Sequence, residues 1–289
     1  MFNCVGLNKK ELTALKELND SRKYFNELND DFFEDYSSVG FAQQIFMIKR
    51  VKLLKLHSEY VGYSWISVKN RKTSIINSLN VEEGVDTLKA CSILLSSNKG
   101  KSDLSYLCSK NDFNFSVLQE LGFKKGNGTI EMFKHIDEVR DFSCDENISF
   151  QVFEKGVNEK IRCDLQNEIF KNSNREPLTA QDIYYDELQN YYYNNGSIFI
   201  KYKEKYIGYG QVIFESDYPT IVNFGIIKEY RHHGFGKMLL EHLLNVIKKY
   251  HYDYSFIRVR SENEAAIKLY KSCGFEVNKE SYNWTLNRI

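Results

Sequence analysis

The chain has 289 residues, enough for about two domains, and its 39 Lys and Arg equal its 39 Asp and Glu, which excludes the strong positive field of a general nucleic-acid or anionic-membrane binder. Its six cysteines (Cys4, Cys91, Cys108, Cys144, Cys163 and Cys273) form no CxxC pair and no zinc-finger spacing with histidine, which predicts reduced thiols, no metal and a cytoplasmic protein. No apolar run approaches the roughly 20 residues that cross a bilayer, and "MFNCVGLNKKELTALKELND" reads as a polar, helix-like stretch, not a signal peptide.

In chain order, helix-like segments fill about 8 to 35, and "GFAQQIFMIKR", "VKLLKLHS", "YVGYSWISV" and "TSIINSLNV" follow as strand candidates. "GVDTLKACSILLSS" reads as a helix, "SDLSYLCS" as a strand, "NFSVLQELG" as a helix and "FKKGNGTIEMFKHI" as a hairpin. The polar stretch at about 140 to 148 interrupts the pattern. Beyond it, "ISFQVFEKG" predicts a strand, 158 to 171 a helix, and "TAQDIYYDELQNYYYNNG" a helix capped by Thr179. "SIFIKYK", "KYIGYGQVIFES" and "TIVNFGII" are successive strands, "GFGKMLLEHLLNVIKK" a helix, "YSFIRVR" a strand and "SENEAAIKLYKSCG" a helix closed by a glycine. "FEVNKE" and "YNWTLNRI" complete the chain as a second hairpin. A shift of 152 positions carries Phe123 onto Phe275 and Asn111 onto Asn263, so the two halves read as an internal duplication with domains at 1–145 and 146–289.

The chemistry-bearing stretch is "YRHHGFGKMLLEHLL". A strand that runs through a glycine-rich turn into a helix aims unpaired backbone N–H groups, backed by the helix dipole, at one spot suited to a phosphate. Gly234 and Gly236 keep side chains away from that spot, and Arg231 and Lys237 add charge at its rim. A Walker loop needs Ser or Thr after the lysine, but Met238 follows Lys237; a dinucleotide fingerprint needs a third glycine that Leu239 replaces.

Arg-x-x-Gly-x-Gly after "NFGIIKEY", followed at the right distance by "SENEAAIKLYKSCGFE", resembles the GNAT superfamily of acyl-CoA N-acyltransferases. The resemblance covers the second half and implies an α/β (α+β) fold of two tandem GNAT-like domains, each a mixed, mostly antiparallel sheet flanked by helices. It implies acetyl-CoA as acyl donor, with Phe224, Gly225 and Ile226 against the pantetheine and Arg231, His232, His233, Gly234, Phe235, Gly236 and Lys237 around the pyrophosphate. The two histidines read as solvated residues contributing backbone alone.

Tyr270 sits seven residues, two helical turns, after Asn263 and therefore on the same face. The resemblance makes Tyr270 the general acid that protonates the departing thiolate, and Asn263 a cofactor contact as well as a helix-start residue. The family's glutamate on the following strand is absent, because "IRVR" places Arg258 there; Glu215 and Asp217 are the remaining base candidates. In the first half "EEGVDTLK" replaces the glycine-rich loop with one glycine and three acids, and Leu118 stands where the second half has Tyr270, so that half reads as a degenerate copy without a cofactor loop. The expected activity is acetyl transfer to a small-molecule or peptide primary amine by direct attack, from a protein that needs neither nucleic acid nor membrane and could form a homodimer. The alternatives are a non-enzymatic acyl-CoA binding or sensing protein and an interaction protein that uses the fold without ligand.

Overall fold

The computed structural model describes residues 1–98, 100–137, 146–172, 175–215 and 218–288, without the side chain of Glu215. The expected domain boundary falls against 138–145, outside the described residues. The chain divides into two compact units that do not follow a single cut: Met1–Thr129 with Lys279–Ile289, and Ile130–Asn278.

The first unit begins with β1 (Phe2–Gly6), α1 (Leu12–Asp20), α2 (Phe32–Ser38) and α3 (Phe41–Lys49). It continues with β2 (Val51–Leu56), β3 (Glu59–Val68), β4 (Thr73–Val81), α4 (Thr87–Ser96), β5 (Asp103–Ser109), α5 (Asn114–Glu120) and the first part of β6 (Lys124–His135). The second unit holds the rest of β6, then β7 (Ile148–Val152), α6 (Glu159–Ile169), α7 (Ala180–Glu187), β8 (Tyr192–Tyr202), β9 (Lys205–Glu215) and β10 (Tyr218–Ile226). After them come α8 (Phe235–Lys249), β11 (Tyr254–Arg260), α9 (Glu264–Ser272) and β12 (Glu276–Leu286), most of which belongs to the first unit.

Strand order is β1-β2-β3-β4-β5-β12 in the first unit and β6-β11-β10-β9-β8-β7 in the second. In both, antiparallel neighbours predominate, with β4–β5 and β10–β11 parallel. This is the mixed, mostly antiparallel sheet flanked by helices that the sequence implies. The closing strands are exchanged: β12 runs antiparallel to β5, from Ser281↔Ser109 to Leu286↔Leu104, while β6 supplies the strand beside β11.

Five local expectations are corrected, one of them the helix read over "TAQDIYYDELQNYYYNNG", which ends at Glu187 and gives way to β8 from Tyr192. The two expected hairpins are single strands, β6 and β12, although "KGNG" and "NKES" look like turns. At Gly128 a Cβ would lie 2.2 Å from the Ser281 carbonyl oxygen, so this glycine serves close strand approach and not a reversal. "FAQQIFMIK" is helical, with Gln44 donating to the Tyr36 carbonyl at 3.0 Å, because its Ala, Gln and Met favour a helix and only Ile48 is buried. Phe2–Gly6, read as helix-like, is a strand paired to β2.

The core that supports the site lies in the second unit. Helix α8 buries Phe235, Leu239, Leu240, Leu243, Leu244 and Ile247 at helical spacing against the sheet, each side chain contributing about 1.5–3 kcal/mol of burial. That stripe fixes where the first turn of α8 points.

Candidate functional site

Strand β10 lies antiparallel to β9 but pairs with β11 only at Thr220↔Phe256 and Ile221↔Ile257. Immediately beyond, the register with β9 slips: Val222 faces Gln211 and Gly225 faces Tyr209, so three steps on β10 match two on β9. The extra residue forms a bulge, with Asn223 left-handed at φ 50°, a conformation that asparagine tolerates better than most side chains. A bulge bends its strand, and here it coincides with the loss of pairing to β11, leaving Phe224, Gly225 and Ile226 without a strand partner on that side. Gly225 permits this packing: a Cβ there would sit 2.3 Å from Ile169 Cγ2 of α6.

From Ile226 the chain passes through a 3₁₀ turn, Lys228–Tyr230, into the loop that starts α8. Arg231 donates from Nε to the Ile226 carbonyl at 2.9 Å and from Nη2 to the Ile169 carbonyl at 3.1 Å. The guanidinium expected at the rim is thus turned inward and ties the loop to β10 and α6. His232 and Gly234 are both left-handed, at φ 66° and 85°, and the His233 ring donates to the Arg231 carbonyl at 2.7 Å and stacks on Phe235. Gly234 caps α8 without a side-chain hydrogen bond, so among the described residues the first-turn amides of Phe235, Gly236 and Lys237 take no N-cap side chain. Gly236 has a packing reason too, since its Cβ would lie 3.2 Å from Leu269 Cδ2 of α9. Lys237 is exposed, with Nζ 4.0 Å from Glu241 Oε1 one turn on.

Tyr270 is 5% exposed, on the inner face of α9. Its ring meets Phe224 edge-on with centroids 5.9 Å apart and lies 6.1 Å from Phe275, which places it beside the open edge of β10. Burial pushes its hydroxyl well above the usual tyrosine range, so it keeps its proton at neutral pH. Asn263 caps α9, its side chain accepting from the Ala266 amide at 3.3 Å. Gly274 is left-handed at φ 83°, the cap expected of it. On β11, Arg258 donates to Glu131 Oε2 of β6 at 3.0 Å, so a carboxylate stands next to this strand, contributed by the exchanged one. Asp217 and the side chain of Glu215 lie outside the described residues. Among the described residues no cluster of His, Cys, Asp or Glu could hold a metal, and no helix is long and apolar enough to cross a membrane.

A polar network behind the bulge has no motif in the sequence. Arg162 of α6, 1% exposed, donates through Nη2 to Asp186 of α7 and, at 2.9 Å, to Gln211 Oε1 of β9. Its guanidinium lies 5.1 Å from the Tyr209 ring and 5.5 Å from the Phe153 ring. Gln211 donates to Asp186 at 3.1 Å and accepts from the side-chain amide of Asn223 at 3.1 Å; Tyr191 donates to Asp186 at 2.9 Å. The charge pair thus holds Gln211, and Gln211 holds the bulge. An Asn at a bulge and a Gln in "YGQVIF" were the only local hints. Nearby, a cavity of about 390 Å³ is lined by Asn167, Phe170, Lys171, Asn172 and Arg175 at the end of α6.

Residues 163–275 match the model of the acetyltransferase (GNAT) family. Over 59 residues it is 39% identical to the ribosomal protein bS18-alanine N-acetyltransferase of Escherichia coli, a stretch covering 20% of this chain and 40% of that enzyme. A GCN5-related N-acetyltransferase from Sphaerobacter thermophilus superposes with a TM-score of 0.59 at 12% identity, covering 99% of this chain and 95% of the other. A tandem GNAT protein from the clavulanic acid biosynthesis pathway superposes with a TM-score of 0.52 at 12% identity, covering 100% and 99%. At such identity these two likenesses speak to the fold.

Proposed function

We propose that the protein is an N-acetyltransferase that moves the acetyl group of acetyl-CoA to a primary amine by direct attack, with the chemistry in the second unit. The observation that carries this reading is the opening of β10 from β11 at the Asn223 bulge, with the buried Tyr270 ring against Phe224 at that opening.

The free edge of Phe224, Gly225 and Ile226 pairs with the pantetheine amides. The uncapped first turn of α8, with His232 to Lys237, binds the diphosphate, and Arg231 holds the loop in shape from behind. Asn263 keeps α9 in register so that Tyr270 reaches the sulfur. The amine nitrogen attacks the thioester carbonyl carbon, a C–N bond forms, and a strand amide near the bulge stabilises the oxyanion. As the C–S bond breaks, the thiolate takes the Tyr270 proton, and the phenolate is reprotonated at the expense of the new ammonium through solvent. An acceptor arriving as the neutral amine needs no protein base, which agrees with Arg258 standing on β11 where the family's glutamate would be. The cavity at the end of α6 is the route for the acceptor.

The test is release of free thiol from acetyl-CoA across a panel of small amines, aminoglycosides, amino acids and peptide N-termini. Turnover with at least one class is expected. Tight acetyl-CoA binding with no thiol release on the whole panel would instead favour the acyl-CoA sensing role.

A further inference from the structure

The parallel pair of the first unit has the same opening as that of the second, and it is already filled. The last pairs are Ile75↔Ser105 in β4–β5 and Ile221↔Ile257 in β10–β11, and the shift of 152 positions carries Ser105 onto Ile257. Two residues further along each strand stand Asn77 and Asn223, and two beyond those Leu79 and Gly225. The register of β4 with β3 also slips at Asn77, since Trp65 faces Ser78 and Ile66 faces Ile76. The two strands therefore bulge at equivalent asparagines.

In the first unit the edge beyond the bulge is occupied by the segment between α1 and α2. The Asp30 amide donates to the Asn77 carbonyl at 2.9 Å. The Asn29 side chain donates to the Leu79 carbonyl at 2.9 Å and accepts from the Leu79 amide at 3.2 Å, while Tyr106 of β5 donates to it at 2.7 Å. Across the gap, Asn26 donates to the Leu107 carbonyl and accepts from the Ser109 amide, both at 2.9 Å. Phe25 and Asn26 are 0% exposed and Asn29 is 5%. A side-chain amide offers one carbonyl and one N–H donor face to a strand, the same complement as an amide of a pantetheine arm. The helix start is closed in the same manner: Asp86 caps α4 by accepting from the Lys89 amide at 3.1 Å, where α8 has Gly234 and no side-chain cap.

We propose that Phe25–Asp30 is a built-in occupant of the β4–β5 opening, standing where acyl-CoA stands in the second unit, so that each chain binds one acyl-CoA and the first unit binds none. The identity of the second unit's ligand rests on the function proposed above; the occupancy of the first does not.

Hydrogen exchange on the intact protein tests both parts. The amides of Leu79 and Ser109 should be protected without ligand and unchanged by acetyl-CoA, whereas the Phe224–Ile226 segment should slow on its addition. Calorimetry should give one equivalent of acetyl-CoA per chain. Rapid exchange at Leu79 and Ser109, slowing of either by acetyl-CoA, or two equivalents bound would overturn the proposal. Asn29→Ala should lower the melting temperature by about 5 °C and leave the acetyl-CoA Kd within about twofold, because four hydrogen bonds, three of them buried, are lost without touching the second unit. An unchanged melting temperature would count against it. If no acetyl-CoA binds at all, the proposed function fails, while exchange at Leu79 and Ser109 and the Asn29→Ala melt still decide whether the segment is the occupant.

Discussion

Beyond Ile221↔Ile257 the edge of β10 has, among the described residues, no strand partner and only its Ile226 carbonyl is held, by Arg231, whereas the β4–β5 opening covers the equivalent edge with Asn26, Asn29 and Asp30. Both begin at a bulged asparagine, so the bulge by itself does not make a site. Buried backbone groups require partners, and a fold with a parted strand pair can draw them from its own chain or leave them for a ligand. The neighbouring residues follow the same division. Gly234 and Tyr270 in the second unit answer to Asp86 and the fully buried Leu118 in the first, a helix start without a side-chain cap and a tyrosine hydroxyl against a capped start and an aliphatic side chain.

The largest expected effect that tests this contrast is at Tyr270. Tyr270→Phe should lower kcat by about 10²–10⁴-fold while the acetyl-CoA Kd stays within about twofold. Its hydroxyl is held above the ordinary range by burial, so in the native protein kcat should show no fall from this group as pH rises toward about 10. A Phe variant with full kcat would erase the functional difference from Leu118.

Next comes the tether on the bulge. Gln211→Ala should cost about tenfold in kcat, with a smaller change in Kd, because Asn223 loses the amide that Arg162 and Asp186 hold in place. Glycine adopts left-handed φ freely, so Asn223→Gly preserves the backbone conformation but not the tether. If that variant matches wild type in kcat, the conformation alone suffices and the network behind it is dispensable.

A smaller difference is expected in acid. His242 of α8 stacks on Phe150 with centroids 4.0 Å apart, and burial, aided by Lys249, brings its pKa down to about 4. The unfolded chain then takes the proton first, so the stabilisation is complete above about pH 6.5 and is lost as pH falls toward 4. The second unit should lose about 3–5 °C of melting temperature over that window through this group, and His242→Gln should flatten the dependence. The first unit contains only His57, so its melt should lack this component.

The smallest effect is expected from Leu118→Tyr, read in a Tyr270→Phe background by thiol release. No turnover should return, because the adjoining edge is occupied; measurable turnover would mean that the β4–β5 opening admits acyl-CoA.

Much of the second unit was legible because its signals are local. The β-branched run of "TIVNFGII", the glycines before α8, Asn263 as a cap and Gly274 as a left-handed stop each depend on a few neighbouring residues. What escaped depends on partners far along the chain. Nothing near Gln211 announces Arg162 and Asp186, and nothing near Leu79 announces Asn29. Arg231 was legible as a loop residue, but the direction of its guanidinium follows from where α6 ends. The glycines of "KGNG" gave a turn signal because their spacing is the same whether the chain reverses or passes close to another strand.

The exchange of β6 and β12 also sets an order of events during synthesis. The first unit contains Lys279–Ile289, and β5 meets its antiparallel neighbour only through Ser281–Leu286. Every strand of the second unit has left the ribosome before that segment does, so the half made first is the half completed last. A cut at residue 145 would therefore yield two fragments each missing a strand native to its sheet, and neither would reproduce the corresponding unit of the intact chain.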